Sequence, residues 1–143
     1  MLKLIFCGDR HWKDKYWINR VMSILKDNLG DFVVIEGEAK GADSISKMIA
    51  KHELHLPVDP YPAHWTEYGL AAGPIRNKQM LREGKADGVV AFHLNIEESK
   101  GTRDMVCQGR RAKIPVWICT EGPDALAQFI LRLKRRQHGK DQT

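Results

Sequence analysis

The stretch Leu2–Trp12, LKLIFCGDRHW, decides how the rest of the chain is read. Leu2–Gly8 is a short, nearly continuous apolar run closed by a glycine, which predicts a buried strand. The GDRHW segment then turns the chain. Residues 14–29 follow with Trp17, Ile18, Val21, Ile24, Leu25 and Leu29 at helical spacing, and Gly30 supplies a stop. Buried strand, glycine turn and amphipathic helix, in that order, make the opening of a parallel βα unit.

The same alternation continues along the chain. Phe32–Ile35 is a second apolar, β-branched strand, and the glycine-bearing loop Glu36–Asp43 leads into a helix through about Lys51, with Asp43 or Ser44 as its cap. His55–Tyr61 reads as a third strand, placed at a sheet edge by Pro57 and Pro60. After a turn-rich segment over 62–72, Gly73-Pro74 opens a helix through about Glu83. Asp87–Leu94 is the fourth strand, residues 95–101 are a polar loop, and Thr102 caps a helix through about Arg111. Ile114–Thr120 is the fifth strand, and Gly122-Pro123 starts a last helix that carries Leu126, Phe129, Ile130 and Leu133 on one face. The strands are continuous apolar runs rather than alternating ones, so the sheet is expected to be parallel and covered on both faces. One α/β domain over residues 1–136 is expected, followed by a basic, flexible tail over 137–143.

Composition narrows the function classes. The chain has 143 residues, 43% hydrophobic and 29% charged, as in an ordinary soluble globular domain. No apolar run approaches the ~20 residues that a membrane span needs. Cys7, Cys107 and Cys119 are widely spaced and read as reduced thiols in a cytoplasmic protein. The net charge is +5, from 23 basic and 18 acidic residues. Arg132, Lys134, Arg135, Arg136 and Lys140, opposed by Asp141, hold most of it and leave 18 basic against 17 acidic residues elsewhere. Cations suit the end of a helix, so this segment argues only weakly for nucleic acid, which is disfavoured as a partner.

In an open α/β sheet, ligands bind beyond the carboxyl ends of the strands. Four segments are expected there: Gly8-Asp9-Arg10-His11-Trp12, Glu36–Asp43, Ala72–Asn77 and Ser99–Thr102. Three are glycine-containing loops that enter helices and turn backbone N–H groups toward an anion. Arg10, Lys40, Arg76 and Lys100 add cationic donors suited to phosphate. The candidate ligand-binding residues are Gly8, Asp9, Arg10, Trp12, Gly37, Lys40, Gly41, Ala42, Gly73, Arg76, Asn77, Gly101 and Thr102. Trp12 and Trp65 are both candidates to stack on a base. Glu36 is a candidate to hydrogen-bond a ribose or act as a general acid/base, the alternative being an ion pair with Arg10 or Arg76. Asp43 is a helix cap or a second functional carboxylate. The six histidines form neither HExxH nor a zinc-like set, so no metal and no resident cofactor is expected. Neither GxGxxG nor a P-loop is present, and no serine sits in GxSxG.

Three motifs together resemble a known family: Gly8-Asp9-Arg10-His11-Trp12; Gly37-x-Ala39-Lys40-Gly41-Ala42-Asp43; and Pro62-Ala63-His64-Trp65-x-x-Tyr68-Gly69-x-x-Ala72-Gly73-Pro74-x-Arg76-Asn77-x-x-Met80. With Gly101-Thr102-x-Asp104-Met105-Val106 and Ile114-Pro115-Val116, they resemble the YspA-like family of the SLOG superfamily, over almost the whole chain to about residue 120. The expected fold is a single Rossmann-like, three-layer domain with a mainly parallel five-stranded sheet in the order 3-2-1-4-5. The resemblance implies a nucleotide or nucleotide-derived ligand, for sensing or processing. Related LOG enzymes cleave the N-glycosidic bond of nucleoside monophosphates and often dimerise, so a homodimer is implied too. Their PGGxGTxxE loop corresponds here to Glu97–Met105, which keeps Gly101-Thr102 but has Met105 in the glutamate's place. Hydrolysis, with Glu36 or Asp43 as the carboxylate, is therefore an alternative to binding alone, and whether the chain is an enzyme stays open.

Overall fold

The computed structural model describes residues 1–141. Five strands, β1 (Lys3–Gly8), β2 (Val33–Glu36), β3 (Val58–Pro60), β4 (Gly88–Phe92) and β5 (Val116–Ile118), pair in the order β3-β2-β1-β4-β5. Every pair is parallel. Six helices connect and flank them: α1 (Lys15–Leu29), α2 (Ala42–His52), the single turn α3 (Trp65–Tyr68), α4 (Ala72–Arg82), α5 (Lys100–Arg111) and α6 (Gly122–Asp141). The fold is α/β and Rossmann-like, as expected from the repeated strand-helix pattern.

Strand alternation divides the apolar residues between two cores. Leu4, Phe6, Val34, Val90 and Phe92 face one side, where α1, α2 and α6 cover them with Ile18, Met22, Leu25, Ile49, Phe129 and Leu133. Ile5, Cys7, Ile35, Val89 and Ala91 face the other, under Met80 of α4 and Met105 and Val106 of α5. A strand buried on both faces is apolar at nearly every position, which explains the long apolar runs, with Glu36 at the end of β2 the fully buried exception. Each fully buried Leu, Ile or Phe contributes about 1.5–3 kcal/mol by leaving water.

Helix ends follow local chemistry. Asp14 caps α1 by accepting from the Trp17 N–H at 3.1 Å, and Gly30 ends it at φ +77°. Two expected caps are corrected. α2 starts after Gly41, not on Asp43 or Ser44, because the Asp43 carboxylate turns back to the preceding loop. α5 is capped by Ser99, whose hydroxyl accepts from the Thr102 N–H at 3.1 Å, so Thr102 lies inside the first turn. The third strand is shorter than expected, since Pro57 and Pro60 cannot donate to the ladder and His55 is left-handed at φ +54°. The fourth and fifth strands are also shorter, the latter turning into a 3-10 turn at Cys119–Glu121. Of the expected tail over 137–143, residues 137–141 continue α6, and 142–143 lie outside the described residues. No helix among the described residues is long and apolar enough to cross a membrane.

Candidate functional site

The chain leaves β1 toward β2 on one side and β4 toward β5 on the other, so a crevice opens where the strand order reverses. A cleft of about 630 Å³ lies there. Nine of the expected site residues line it: Gly8, Asp9, Arg10, Asp43, Gly73, Arg76, Asn77, Gly101 and Thr102. Cys7, His11, Trp65, His93, Ser99, Lys100 and Met105 are among the other lining residues.

The β1 loop is built around Asp9. Its N–H donates to the Phe92 carbonyl at 2.9 Å, and its own carbonyl accepts from Trp12 and from Ala42 at the start of α2. Gly41 makes this crossing possible, for it is left-handed at φ +73° and a Cβ there would strike the backbone of Asp9 and Arg10. Gly41 and Ala42 thus position the loop rather than line the cleft.

The loop after β2 is fixed by carboxylates. Asp43 accepts from the Gly37 N–H at 3.0 Å and from the Ala39 N–H at 3.4 Å. Glu38 is left-handed at φ +59°, donates its N–H to Glu36 at 2.6 Å, and pairs through its own carboxylate with Lys47. Lys40 is exposed and, like Gly37, is absent from the cleft lining. Gly37 has a packing role, since a Cβ there would run into Arg76 and Asp43.

Arg76 and Asn77 tie three segments together. Arg76 donates through Nη1 to the Gly37 carbonyl and through Nε to Asn77 Oδ1. Asn77 Nδ2 donates to Asp104 at 2.9 Å and to the Gly101 carbonyl at 3.3 Å. The loop after β2, the start of α4 and the start of α5 are therefore held as one unit. Two of the Arg76 nitrogens, Nη1 and Nε, are committed to that work.

Not every helix start is open to an anion. At α2 the Ala42 N–H is occupied by Asp9. α4 follows a 3-10 turn whose Gly69 carbonyl takes the Ala72 N–H, and Pro74 has no N–H at all. α5 is different: the Ser99 hydroxyl accepts from Thr102 and its carbonyl from Arg103, while the first-turn N–H groups of Lys100 and Gly101 have no acceptor within the helix. A Cβ at Gly101 would meet nothing within 4 Å, so its backbone is approachable. The Lys100 side chain adds a positive charge to the positive end of the helix dipole.

The two candidate carboxylates separate. Asp43 lines the cleft, and burial raises its carboxyl to about 6 against the opposing pull of Arg76 and of its two backbone donors. Glu36 is fully buried and does not line the cleft. Its Oε1 has no hydrogen-bond partner, and neither Arg10 nor Arg76 pairs with it. Burial, reinforced by Glu38 and Asp43, pushes it up to about 8 despite the Glu38 backbone donor. At neutral pH it is largely a neutral acid. Cys7 also stays a thiol, because burial and then Asp43 raise it strongly.

The two tryptophans separate as well. Trp12 is only 8% exposed and belongs to the core, with its ring centroid 5.6 Å from Phe92 and 5.4 Å from Trp17. It does not line the cleft, because the turn after Asp9 folds it onto the α1 face of the sheet. Trp65 lines the cleft and is 58% exposed.

His93 is absent from the expected site, although its place just after β4 at the carboxyl edge could have marked it. The Asn95 N–H donates to its Nδ1 at 3.0 Å, so the neutral ring carries its proton on Nε2, 3.9 Å from Asp9 Oδ2. Ser99 could have been found as an Ncap residue three positions before Thr102.

The sequence matches the YspA, cpYpsA-related SLOG family over residues 2–68. It is also similar to the Gene 61 protein of Mycobacterium phage D29, 34% identical over 124 residues, covering 81% of this chain and 94% of that protein. No solved structure matches it significantly. With the glycine loops, the parallel order β3-β2-β1-β4-β5 and the cleft at its reversal point, these matches place the chain in the YspA-related SLOG family.

Proposed function

We propose that the cleft binds a nucleotide or nucleotide-derived phosphorylated ligand, with its phosphate against the start of α5. The observation that carries this reading is the open first turn of α5. Two uncommitted backbone N–H groups, the Lys100 ammonium and the Thr102 side chain adjoin the same cleft as Arg10 and Arg76. The cleft's volume falls within the ~300–1,000 Å³ of small-molecule sites.

Calorimetric titration with nucleoside monophosphates, NAD and ADP-ribose tests the reading. Binding is expected for at least one of them, and Lys100→Glu should weaken it about tenfold or more, since a charge reversal beside phosphate costs at least ~1.4 kcal/mol. No heat from any ligand at millimolar concentration would overturn it.

Asp43 supports a second reading, N-glycosidic hydrolysis, because it presents a carboxyl raised to about 6 to the cleft. Met105 counts against it by putting a thioether where the LOG loop has its glutamate. Release of free base by wild type, abolished in Asp43→Asn, is the result that would favour hydrolysis over binding alone.

A further inference from the structure

We infer that Trp65 is the base-binding platform of the cleft, so that the ligand lies with its aromatic base on the Trp65 indole and its phosphate at the start of α5. This rests on the nucleotide reading above and adds an orientation and a residue that selects for the base.

Among the described residues, Trp12, Trp17 and Trp117 all pack against other rings. Trp65 has no such ring partner and keeps 58% of its surface exposed while forming part of the cleft wall. An indole held at a concave site with a free face is the arrangement that stacks on a flat base. The single turn α3 that carries it is closed by Gly69 at φ +57°, and the ring tip lies 3.5 Å from where a Cβ of Gly73 would stand. The ring therefore rests over the first turn of α4 with room that a larger residue would narrow.

The position also suits the division of labour. The start of α4 is a poor phosphate seat, with Ala72 already bonded and Pro74 lacking an N–H. An apolar, π-rich group belongs there, and the charged end of the ligand belongs at α5. Both ends line one cleft.

The test compares adenosine 5′-monophosphate with ribose 5-phosphate, which has the same phosphate and sugar but no base. Wild-type protein should bind the nucleotide at least about tenfold more tightly, the size of one base–aromatic stack. Trp65→Ala should lose that preference and leave ribose 5-phosphate affinity unchanged, and Trp65→Phe should keep most of it. Nucleotide, but not ribose 5-phosphate, should also quench the solvent-exposed part of the tryptophan emission. Circular dichroism should show Trp65→Ala to be folded. If both ligands bind equally to wild type, or Trp65→Ala keeps the preference, the platform is wrong while the nucleotide site stands. If neither ligand binds, the platform is overturned, and the nucleotide reading falls with it only when the other nucleoside monophosphates, NAD and ADP-ribose also fail to bind.

Discussion

Glu36 shows how burial alone can change what a residue is able to do. Its position as the last residue of β2 suggests a carboxylate at the carboxyl edge of the sheet, but it is sealed beneath the loop it holds. In the unfolded chain it titrates near 4.5, and in the folded protein near 8. Across that interval the folded state keeps a proton that the unfolded state has released. The contribution to stability is therefore full below about pH 4.5 and is lost as pH rises through about 8. Asp43 acts in the same direction between 3.8 and about 6. Glu36→Gln has no proton to lose. Urea denaturation should show it more stable than wild type at pH 9, on the order of a few kcal/mol, with the difference closing toward pH 5. An equal difference at both pH values would contradict the buried neutral acid.

Asp87 acts between elements. Its carboxylate is 1% exposed and accepts from the Lys3 N–H at 2.9 Å, Arg136 at 3.2 Å and Lys140 at 2.6 Å. It joins the beginning of β1 and the approach to β4 to the last turns of α6. Two of the five basic residues near the C-terminus are thereby engaged with a buried anion. Asp87→Ala should lower stability by about 2 kcal/mol, since it strands the Lys3 N–H and removes the buried anion that Arg136 and Lys140 share. Neutralising the exposed Arg132, Lys134 and Arg135 together should change it little. Hydrogen exchange should show the end of α6 opening in the first variant only. Removing the chain after Leu131 would be a poor probe of the basic residues, because Leu133 is completely buried.

Elements were readable from the sequence to the extent that their signals were local. The double-sided burial of β1, β2 and β4 was written in nearly unbroken apolar runs, and Gly30 marked the end of α1. The caps of α2 and α5 were not, because Asp43, Ser44, Ser99 and Thr102 all have capping side chains and only the path of the backbone decides among them. Trp12 and Trp65 pose the same problem at the site. Each lies near a glycine loop, and what separates them is the packing of Trp12 against Phe92, eighty positions away. The roles of Gly41 and Arg76 depend likewise on contacts with segments distant in sequence.

At the scale of the whole molecule, the cleft lies across the seam between two halves of the sheet. Asp9, Arg10 and Asp43 come from the β1–β2 side, and His93 and Ser99–Thr102 from the β4–β5 side, with Arg76 and Asn77 bonded to both. A ligand seated there interacts with the halves only when they are assembled. It should therefore stabilise the entire domain rather than one loop. At a hundredfold excess over its dissociation constant, a ligand that binds only the folded state adds about 2.7 kcal/mol. For a domain near this size, each kcal/mol moves Tm by roughly 2–4 °C, so saturating nucleotide should raise Tm by roughly 5–10 °C. The rise should follow the logarithm of ligand concentration, and it should shrink in Lys100→Glu and in Trp65→Ala for different reasons. The first weakens the hold on phosphate and should reduce the shift given by nucleotide and ribose 5-phosphate alike. The second should reduce only the nucleotide's. Differential scanning fluorimetry with both ligands on the three proteins separates these outcomes, and a nucleotide shift that stayed full in both Lys100→Glu and Trp65→Ala would contradict a ligand held at these two ends of the cleft.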